Sequence, residues 1–393
     1  MLPYRSCFRM RLALVPSSFA PSIGGVEDLT RQLAKELSKG YELEVWTSTA
    51  SAPGSPKQER IDGIVVRRFD FPLPSARLGS VIPFPSRAWS AMRALEEAFE
   101  EFHPDLLHVV CFAPNGAYAT ELSRRRQIPL VITLQGETVM DDHDIYDKSV
   151  MLRACLRRGI RQAKIVTACS RYTLNDAARF GLEPRRGEVV FNGTSLDEIA
   201  AEPIETPFER YVLCLGRVVQ KKGFDLMLAA FTHVVDRPGV GLVVAGGGQA
   251  LPMLRQRADE LGIGKFVCFT GPLGRAQVAG AMRDAAVFVM PSRLEPFGIV
   301  ALEGWRGATP VVVSSRGGTS EFVRDGIDGI VVDPFDEVAL SGAVNRLLDD
   351  RELAAAYVRS GLERLNDFTW PRIAERYREL YAEATQVASP LGH

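Results

Sequence analysis

The stretch MPSRLEPFGIVALEGWRGATPVVVSSRGGTSEF, Met290 to Phe322, decides the fold of this 393-residue chain. Glu295 and Glu303 stand eight positions apart in it. Between them Pro296, Phe297 and Gly298 read as a turn that opens a helix. Behind them the apolar run Thr309–Val313 reads as a strand, Gly317-Gly318 as a second turn, and Ser320 and Glu321 as the start of another helix. A helix that opens this way presents the N–H groups of Phe297, Gly298, Ile299 and Val300, a positive end suited to a phosphate. Glu295, just outside that end, sits in the same field with its carboxylate facing whatever binds. Glu303, more than a turn further in, is placed to accept from both hydroxyls of a ribose, the part an acidic residue plays in dinucleotide folds. The spacing alone serves two surface glutamates on an ordinary helix equally well.

Outward from this stretch, strand, glycine turn and helix repeat in both directions. AVFVMPS is a strand leading into Glu295, and VGLVVAGGGQALPML is strand, glycine turn and helix. AGGGQAL invites a nicotinamide-cofactor reading, but the third glycine of that fingerprint is missing, and so is an acidic residue ending the next strand. The strand YVLCLG leads into Arg217 and Lys222, two cations five residues apart that can close on a diphosphate. The first half repeats the plan: strand Met10–Pro16, a Gly24-Gly25 turn, and a helix with Val26, Leu29, Leu33 and Leu37 on one face. Strands YELEVWTS, GIVVRRF, DLLHVVCF, PLVITL, KIVTACS and EVVFNG follow, with helices over 88–102, 116–126, 148–164 and 171–180 between the later ones. This alternation predicts an α/β protein with parallel, doubly wound sheets. The length calls for two such domains, residues 1–197 and 198–370, divided at the Asn192-Gly193 turn and the Pro/Glu-rich segment 197–209.

Glu-Pro-Phe-Gly-Ile-Val-x-Leu-Glu, followed by an Ala-Thr-Pro-Val-Val strand and a Gly-Gly turn, resembles the signature of retaining glycosyltransferases of family 4, the glycosyl transferases group 1. Gly216-Arg217-Val-Val-Gln-Lys-Lys222-Gly223-Phe-Asp-Leu is similar to that family's second signature. The resemblance covers residues 10–385, specific in the second half and loose in the first. It implies the GT-B fold, two Rossmann-like domains facing across a cleft, with the last helix, 371–386, packing back on the first domain. It also implies a nucleotide-diphospho-sugar donor in the second domain, an acceptor in the first, retention of configuration, and no metal or other cofactor. Carried over residue by residue, Glu295 binds donor-sugar hydroxyls on the reacting face and Glu303 the ribose. Arg217 and Lys222 neutralise the leaving diphosphate, where electrostatic help counts most, and Phe297 to Val300 complete the phosphate cradle. Gly271 passes beside the nucleobase, and Gly25 approaches the diphosphate and the acceptor.

Where the family commonly has a histidine beside the reacting carbon, this chain has Gln135, in Gln135-Gly136-Glu137. Glutamine donates to a sugar hydroxyl but moves no proton at neutral pH. Gln135 and Glu137 are candidate sugar or acceptor contacts. His143, six residues past Glu137, reads as a solvated loop histidine. Asp142 and Asp144 beside it form the one Asp-x-Asp pair near a turn, in the first domain rather than beside a phosphate turn, so no metal site is expected.

Hydrophobic content of 46% and charged content of 24% are those of ordinary globular proteins, and a net charge of −1 gives no global pull toward nucleic acid. No uncharged apolar run approaches the roughly 18 residues of a spanning helix. The six cysteines lack CxxC spacing, and four sit in apolar surroundings, which favours reduced thiols of a cytoplasmic protein. The opening MLPYRSCFRMRLALVPSS mimics a signal peptide, but its apolar run is short and stopped by Pro16. Residues 1–9 read as an exposed extension, with translation starting at Met10. Charge is uneven in one place: residues 148–186 hold ten Lys/Arg against two Asp/Glu. Arg153, Arg157, Arg161 and Lys164 form a row beside a helix's apolar face. The row suits a solvated flank, or peripheral contact with an anionic membrane aided by an apolar loop tip at Val81, Ile82 and Phe84.

These readings converge on metal-independent hexosyl transfer, with retention, from a nucleotide sugar to a saccharide, lipid-linked or small-molecule acceptor. No second carboxylate is placed as a nucleophile, so attack from the front side assisted by the leaving phosphate is expected. Two other readings stay open: an epimerase or phosphorylase on the same fold, and a non-catalytic nucleotide-sugar-binding protein in which Gln135 marks lost chemistry. A hydrolase with paired carboxylates leaves the diphosphate site without a purpose.

Overall fold

A computed structural model describes residues 9–22, 24–73, 84–140, 145–183, 185–197, 199–235 and 237–386. The chain divides into two domains, one formed by Met1–Asn192 with Trp370–His393, the other by Gly193–Thr369. Each is a parallel α/β sheet with helices on both faces.

The first domain has strands Arg11–Pro16 (β1), Glu42–Ser48 (β2), Gln58–Ile61 (β3), Ile64–Phe69 (β4), Leu106–Val110 (β5), Leu130–Leu134 (β6), Ile165–Ala168 (β7) and Gly187–Val189 (β8). Their order is β3-β4-β2-β1-β5-β6-β7-β8, parallel throughout except that β3 runs antiparallel to β4. The short polar strand β3 was not expected; an edge strand needs no continuous apolar run, so it leaves little hydrophobic pattern. The central strands are buried on both sides, as parallel strands covered by helices must be. Along β1, Leu12 and Leu14 join the core under helices Gly25–Leu37 and Trp370–Thr385, while Ala13 and Val15 join the core under helices Phe84–Phe102, Pro114–Arg126 and Val150–Gln162. Phe84 opens one of these helices instead of tipping a loop. Val81, Ile82 and His143 lie outside the described residues.

The helix Trp370–Thr385 is bound to the sheet by polar groups as well as apolar ones. His108, fully buried in β5, places Nδ1 2.6 Å from the Tyr381 hydroxyl and Nε2 2.7 Å from Thr133 Oγ1. Thr133 in turn meets Tyr377 and Thr167. Burial pulls the His108 pKa down to about 3, so the ring is neutral and must exchange hydrogen bonds with its neighbours.

The second domain has strands Arg210–Leu215 (β9), Val240–Ala245 (β10), Val267–Gly271 (β11), Val287–Met290 (β12), Val311–Ser314 (β13) and Ile330–Val332 (β14), all parallel, in the order β11-β10-β9-β12-β13-β14. The order reverses between β9 and β12. Loops leaving the carboxyl ends of two such strands flank the crevice where open α/β sheets take their ligands. The helix expected from Ser320 is only a 3-10 turn, Gly318–Glu321. Asp328 ends it: its buried carboxylate accepts from the Arg324 N–H at 2.6 Å, and Gly326 turns the chain at φ +71°.

Candidate functional site

Two loops meet at the β9/β12 reversal, Gly216–Gly223 after β9 and Pro291–Gly298 after β12. Backbone lies directly against backbone there. Gly223 has φ +68°, and a Cβ on it would stand 2.0 Å from the Pro291 carbonyl oxygen. Gly317, at φ +139°, would put a Cβ 2.1 Å from the Glu295 carbonyl oxygen. No residue with a side chain fits either place. The Glu295 main chain is thereby clamped to the loop after β13: its carbonyl accepts from the Gly318 N–H at 2.7 Å, and its N–H donates to the Arg316 carbonyl at 3.3 Å.

The clamp aims the Glu295 side chain at the other loop. Lys222 Nζ lies 2.6 Å from Glu295 Oε2, and Ser292 Oγ donates to the same oxygen at 3.1 Å. The two charged side chains are 13% and 7% exposed, so they attract each other in a medium of low dielectric. Glu295 Oε1 receives no hydrogen bond among the described residues. The structure thus brings together Lys222 and Glu295, which the sequence assigned to different parts of a ligand.

The helix that follows is Ile299–Arg306, opened by Gly298 at φ +87°. Thr319 Oγ1 donates to the Phe297 carbonyl at 2.7 Å, and the Phe297 ring is buried against Phe322, centroids 4.7 Å apart. Phe297 therefore holds the turn. The N–H groups of Ile299 and Val300 make no hydrogen bond among the described residues, so the positive helix end is present. Glu303 is half-buried on this helix, and Arg217 is exposed in the loop after β9.

The AGGGQAL turn has a packing role. Gly246 (φ +136°) and Gly248 (φ +159°) would drive a Cβ to 1.9 Å from the Gly216 carbonyl oxygen and 2.3 Å from that of Val218. The turn thus presses the loop after β10 onto the loop that carries Arg217. Gly271 (φ +75°) ends β11, and its carbonyl accepts from the Gly246 N–H at 2.9 Å.

In the first domain, Gly25 opens its helix in the open: a Cβ there meets no atom within 4 Å. Gln135 Oε1 accepts from Asn192 Nδ2 at 3.0 Å. Glu137, read as a sugar or acceptor contact, is turned inward instead. Its Oε1 accepts from the Phe112 N–H at 2.5 Å and its Oε2 from the Gln135 N–H at 2.6 Å, so it braces the ends of β5 and β6. Burial raises its pKa to about 7, opposed by those backbone bonds. Arg153 leaves the expected basic row: its guanidinium caps the carbonyls of Tyr146 and Asp147 at 2.6 and 2.5 Å. Sequence reasoning missed Ser292 and Thr319. Their only signal was position, three residues before Glu295 and one after the Gly-Gly turn.

Among the described residues no group of acidic, histidine or cysteine side chains is placed to hold a metal, and no helix is long and apolar enough to cross a membrane. The chain matches the family described as "Glycosyltransferase Family 4" over residues 23–198 and "Glycosyl transferases group 1" over 197–364. It is 30% identical to a D-inositol 3-phosphate glycosyltransferase of Acidothermus cellulolyticus, over 93% of this chain and 88% of that one. It is also 30% identical to a GDP-mannose-dependent alpha-(1-6)-phosphatidylinositol monomannoside mannosyltransferase of Mycolicibacterium smegmatis, over 94% and 97%. Among solved structures, sucrose-phosphate synthase of Thermosynechococcus elongatus superposes with a TM-score of 0.77 at 22% identity, covering 95% of this chain and 99% of that one. Anabaena HepE in complex with UDP-glucose gives 0.73 at 18% identity, covering 95% and 100%. With both halves matched and the switch-point geometry in place, the chain belongs to glycosyltransferase family 4, the glycosyl transferases group 1, and has the GT-B fold.

Proposed function

We propose that the protein transfers a hexose from a nucleotide-diphospho-sugar to a hydroxyl of a saccharide, lipid-linked or small-molecule acceptor, with retention and without a metal. The observation that carries the reading is the Lys222–Glu295 pair, joining the two switch-point loops beside an open helix end. In this reading the diphosphate lies on the N–H groups of Ile299 and Val300, with Arg217 and Lys222 as counter-charges. Glu295 Oε1 accepts from a donor-sugar hydroxyl, Glu303 accepts from the ribose, and Gly271 lies by the base. Gly25 and Gln135 meet the sugar and acceptor from the first domain. As the bond from the anomeric carbon to the phosphate oxygen breaks, negative charge grows on the diphosphate, where fixed cations and a helix end favour it. The acceptor oxygen bonds to the same face, and its proton passes to the departing phosphate oxygen. No chemistry beyond the donor's own is needed, so no cofactor enters. The relatives acting on inositol phosphate and phosphatidylinositol mannoside make inositol-containing acceptors the first to try.

The test is a panel of uridine-, guanosine- and adenosine-diphospho-sugars scored by thermal shift, followed by transfer assays with and without EDTA. A donor at a hundred times its Kd stabilises by about 2.7 kcal/mol. Stabilisation by one donor class, with EDTA-resistant transfer and retained configuration by NMR of the product, is expected. Transfer lost to EDTA and restored by Mg²⁺ or Mn²⁺ overturns the metal-free course. Binding without turnover supports the sensor reading, and phosphate-dependent release of a sugar phosphate supports the phosphorylase.

A further inference from the structure

We infer that Arg293 is a positioning residue for the transfer: it sets where Lys222 and Glu295 meet, and through them the rate. Arg293 stands two residues before Glu295 in the loop after β12 and reaches across to the loop after β9. Its main-chain N–H donates to the Lys221 carbonyl at 2.9 Å, and its side-chain Nη1 to the Gln220 carbonyl at 2.9 Å. Past Lys222, at the start of the helix Phe224–Phe231, the Asp225 carboxylate accepts from Nη1 and Nη2 at 2.6 Å each. One guanidinium thus holds the chain on both sides of Lys222, and its own main chain leads directly to Glu295. The Arg293 and Asp225 side chains are 20% and 25% exposed, and a planar fork on a carboxylate fixes direction as well as distance.

The fork is itself held. The Arg293 guanidinium lies over the ring of Phe335, in the segment after β14, at 5.6 Å from its centroid, and the Arg316 guanidinium lies over the same ring at 4.7 Å. Arg316 is bidentate on Asp333 at 2.8 and 2.7 Å, and its carbonyl is the one that accepts from the Glu295 N–H. Asp225, Arg293, Phe335, Arg316 and Asp333 therefore form a belt joining the segments that follow β9, β12, β13 and β14. Both guanidinia in it are paired with carboxylates, so the belt supplies placement rather than charge. The close approach of Gly223 to Pro291 is one point of contact, about which two loops can still pivot; the bonds from Arg293 to Gln220, Lys221 and Asp225 stop that rotation. The inference rests on the roles proposed above for Lys222 and Glu295, and adds the residue that fixes their separation. Groups that act as charge develops depend most on placement: a shift of about 1 Å can cost on the order of a hundredfold in rate.

The test compares wild type with Arg293→Lys, which keeps the charge and loses the fork; circular dichroism and urea unfolding check that the variant folds. Its kcat should fall by on the order of a hundredfold. Its calorimetric affinity for the nucleoside diphosphate product, held by the Ile299 and Val300 N–H groups and Arg217 in the proposed reading, should fall far less. Phe335→Leu, at a half-exposed position, should lower kcat in the same sense by a smaller factor, and an unchanged kcat there overturns the part assigned to the ring. Wild-type kcat in Arg293→Lys overturns the inference. So do matching losses of kcat and affinity in Arg293→Ala that Arg293→Lys restores, since Arg293 would then be a plain counter-charge. A second measurement needs no transfer. The coupling between Lys222→Met and Glu295→Gln, from a double-mutant cycle on urea stability, should be large in the wild-type background and largely vanish in the Arg293→Lys background. Equal coupling in both backgrounds overturns the positioning role whatever the enzyme transfers. A chain that binds no nucleotide sugar and yet loses the coupling overturns the proposed function and upholds the positioning of the pair.

Discussion

The two domains share one plan and differ in how the loops at their strand ends are held. In the second domain the loops are set by backbone pressed on backbone, at Gly223 against Pro291, Gly317 against Glu295, and Gly246 against Gly216. In the first domain side chains do the bracing. Glu137 takes the Phe112 and Gln135 N–H groups, and Asn115 accepts from the Ala113 N–H at 2.9 Å while donating to the Val15 carbonyl at 2.7 Å. A backbone approach that leaves a Cβ only about 2 Å from a carbonyl oxygen admits one residue type. A side-chain brace fixes a loop just as firmly, yet its length and partners vary with the loop it serves. The second domain is therefore built as a fixed mould and the first as an adjustable one.

The largest expected effect tests the mould. Gly223→Ala combines a left-handed φ with a Cβ 2.0 Å from Pro291 O, and should cost about 3 kcal/mol or more and abolish transfer. Hydrogen exchange should show protection lost in the second domain while the first keeps its own. A cost under about 1 kcal/mol would break the comparison. Next comes Lys222→Met, which leaves the Glu295 carboxylate without its cation in a nearly closed site. A stability loss of about 3 kcal/mol in urea is expected, with transfer lost as well. Beside it, Glu295→Gln should reduce turnover more than donor affinity, and Glu303→Ala the reverse. Small, equal effects from these two would undo the roles proposed for them.

Acid sharpens the contrast from the other side. His108 holds no proton in the folded state until about pH 3, whereas the unfolded chain takes one near 6.5. The first domain therefore loses stability as pH falls from about 6.5 to 3, by up to about 1.4 kcal/mol per unit. Glu137 acts in the opposite sense: its folded pKa is raised from 4.5 to about 7, so stability rises as pH falls through that window. The two offset each other between about 4.5 and 6.5 in wild type. In Glu137→Gln the histidine slope should stand alone, visible as an earlier acid melt of the first domain by peptide-resolved hydrogen exchange. The second domain's His233 is exposed and paired at its surface with Glu337, so this buried-histidine slope belongs to the first domain. The smallest effect is Gly25→Ala. With nothing near its Cβ, stability should change by less than about 0.5 kcal/mol while transfer falls, separating a ligand's need for glycine from the fold's.

This contrast also explains what could be read from sequence. Glycines at forced close approaches and the apolar parallel strands made the loops around Lys222 and Glu295 legible, including the turn before Ile299, whereas strand β14 and the helices Glu337–Asp349 and Arg351–Arg364 went unread. Lys222 and Glu295 were found, but their mutual contact was not, because it depends on the crossing of two loops 73 residues apart. In the first domain β3 was invisible because a polar edge needs no apolar run. Glu137 was legible as an acidic residue at a strand end, yet nothing in its spacing told that its carboxylate would turn back to the main chain. Arg153 was likewise part of a periodic row until its reach to two carbonyls removed it.

The helix Trp370–Thr385 has a consequence for how the chain is made. The His108–Tyr381 hydrogen bond joins residues 273 positions apart, with the whole second domain encoded between them. At roughly 5–20 residues per second on the ribosome, β5 waits on the order of ten seconds or more for the tyrosine that completes its polar network. Gly193–Thr369 is by then an uninterrupted segment free to fold. The second domain of a nascent chain is thus finished first, while Leu12, Leu14 and their neighbours still lack the helix that covers them. It is the part synthesised earliest that stays longest in need of a chaperone.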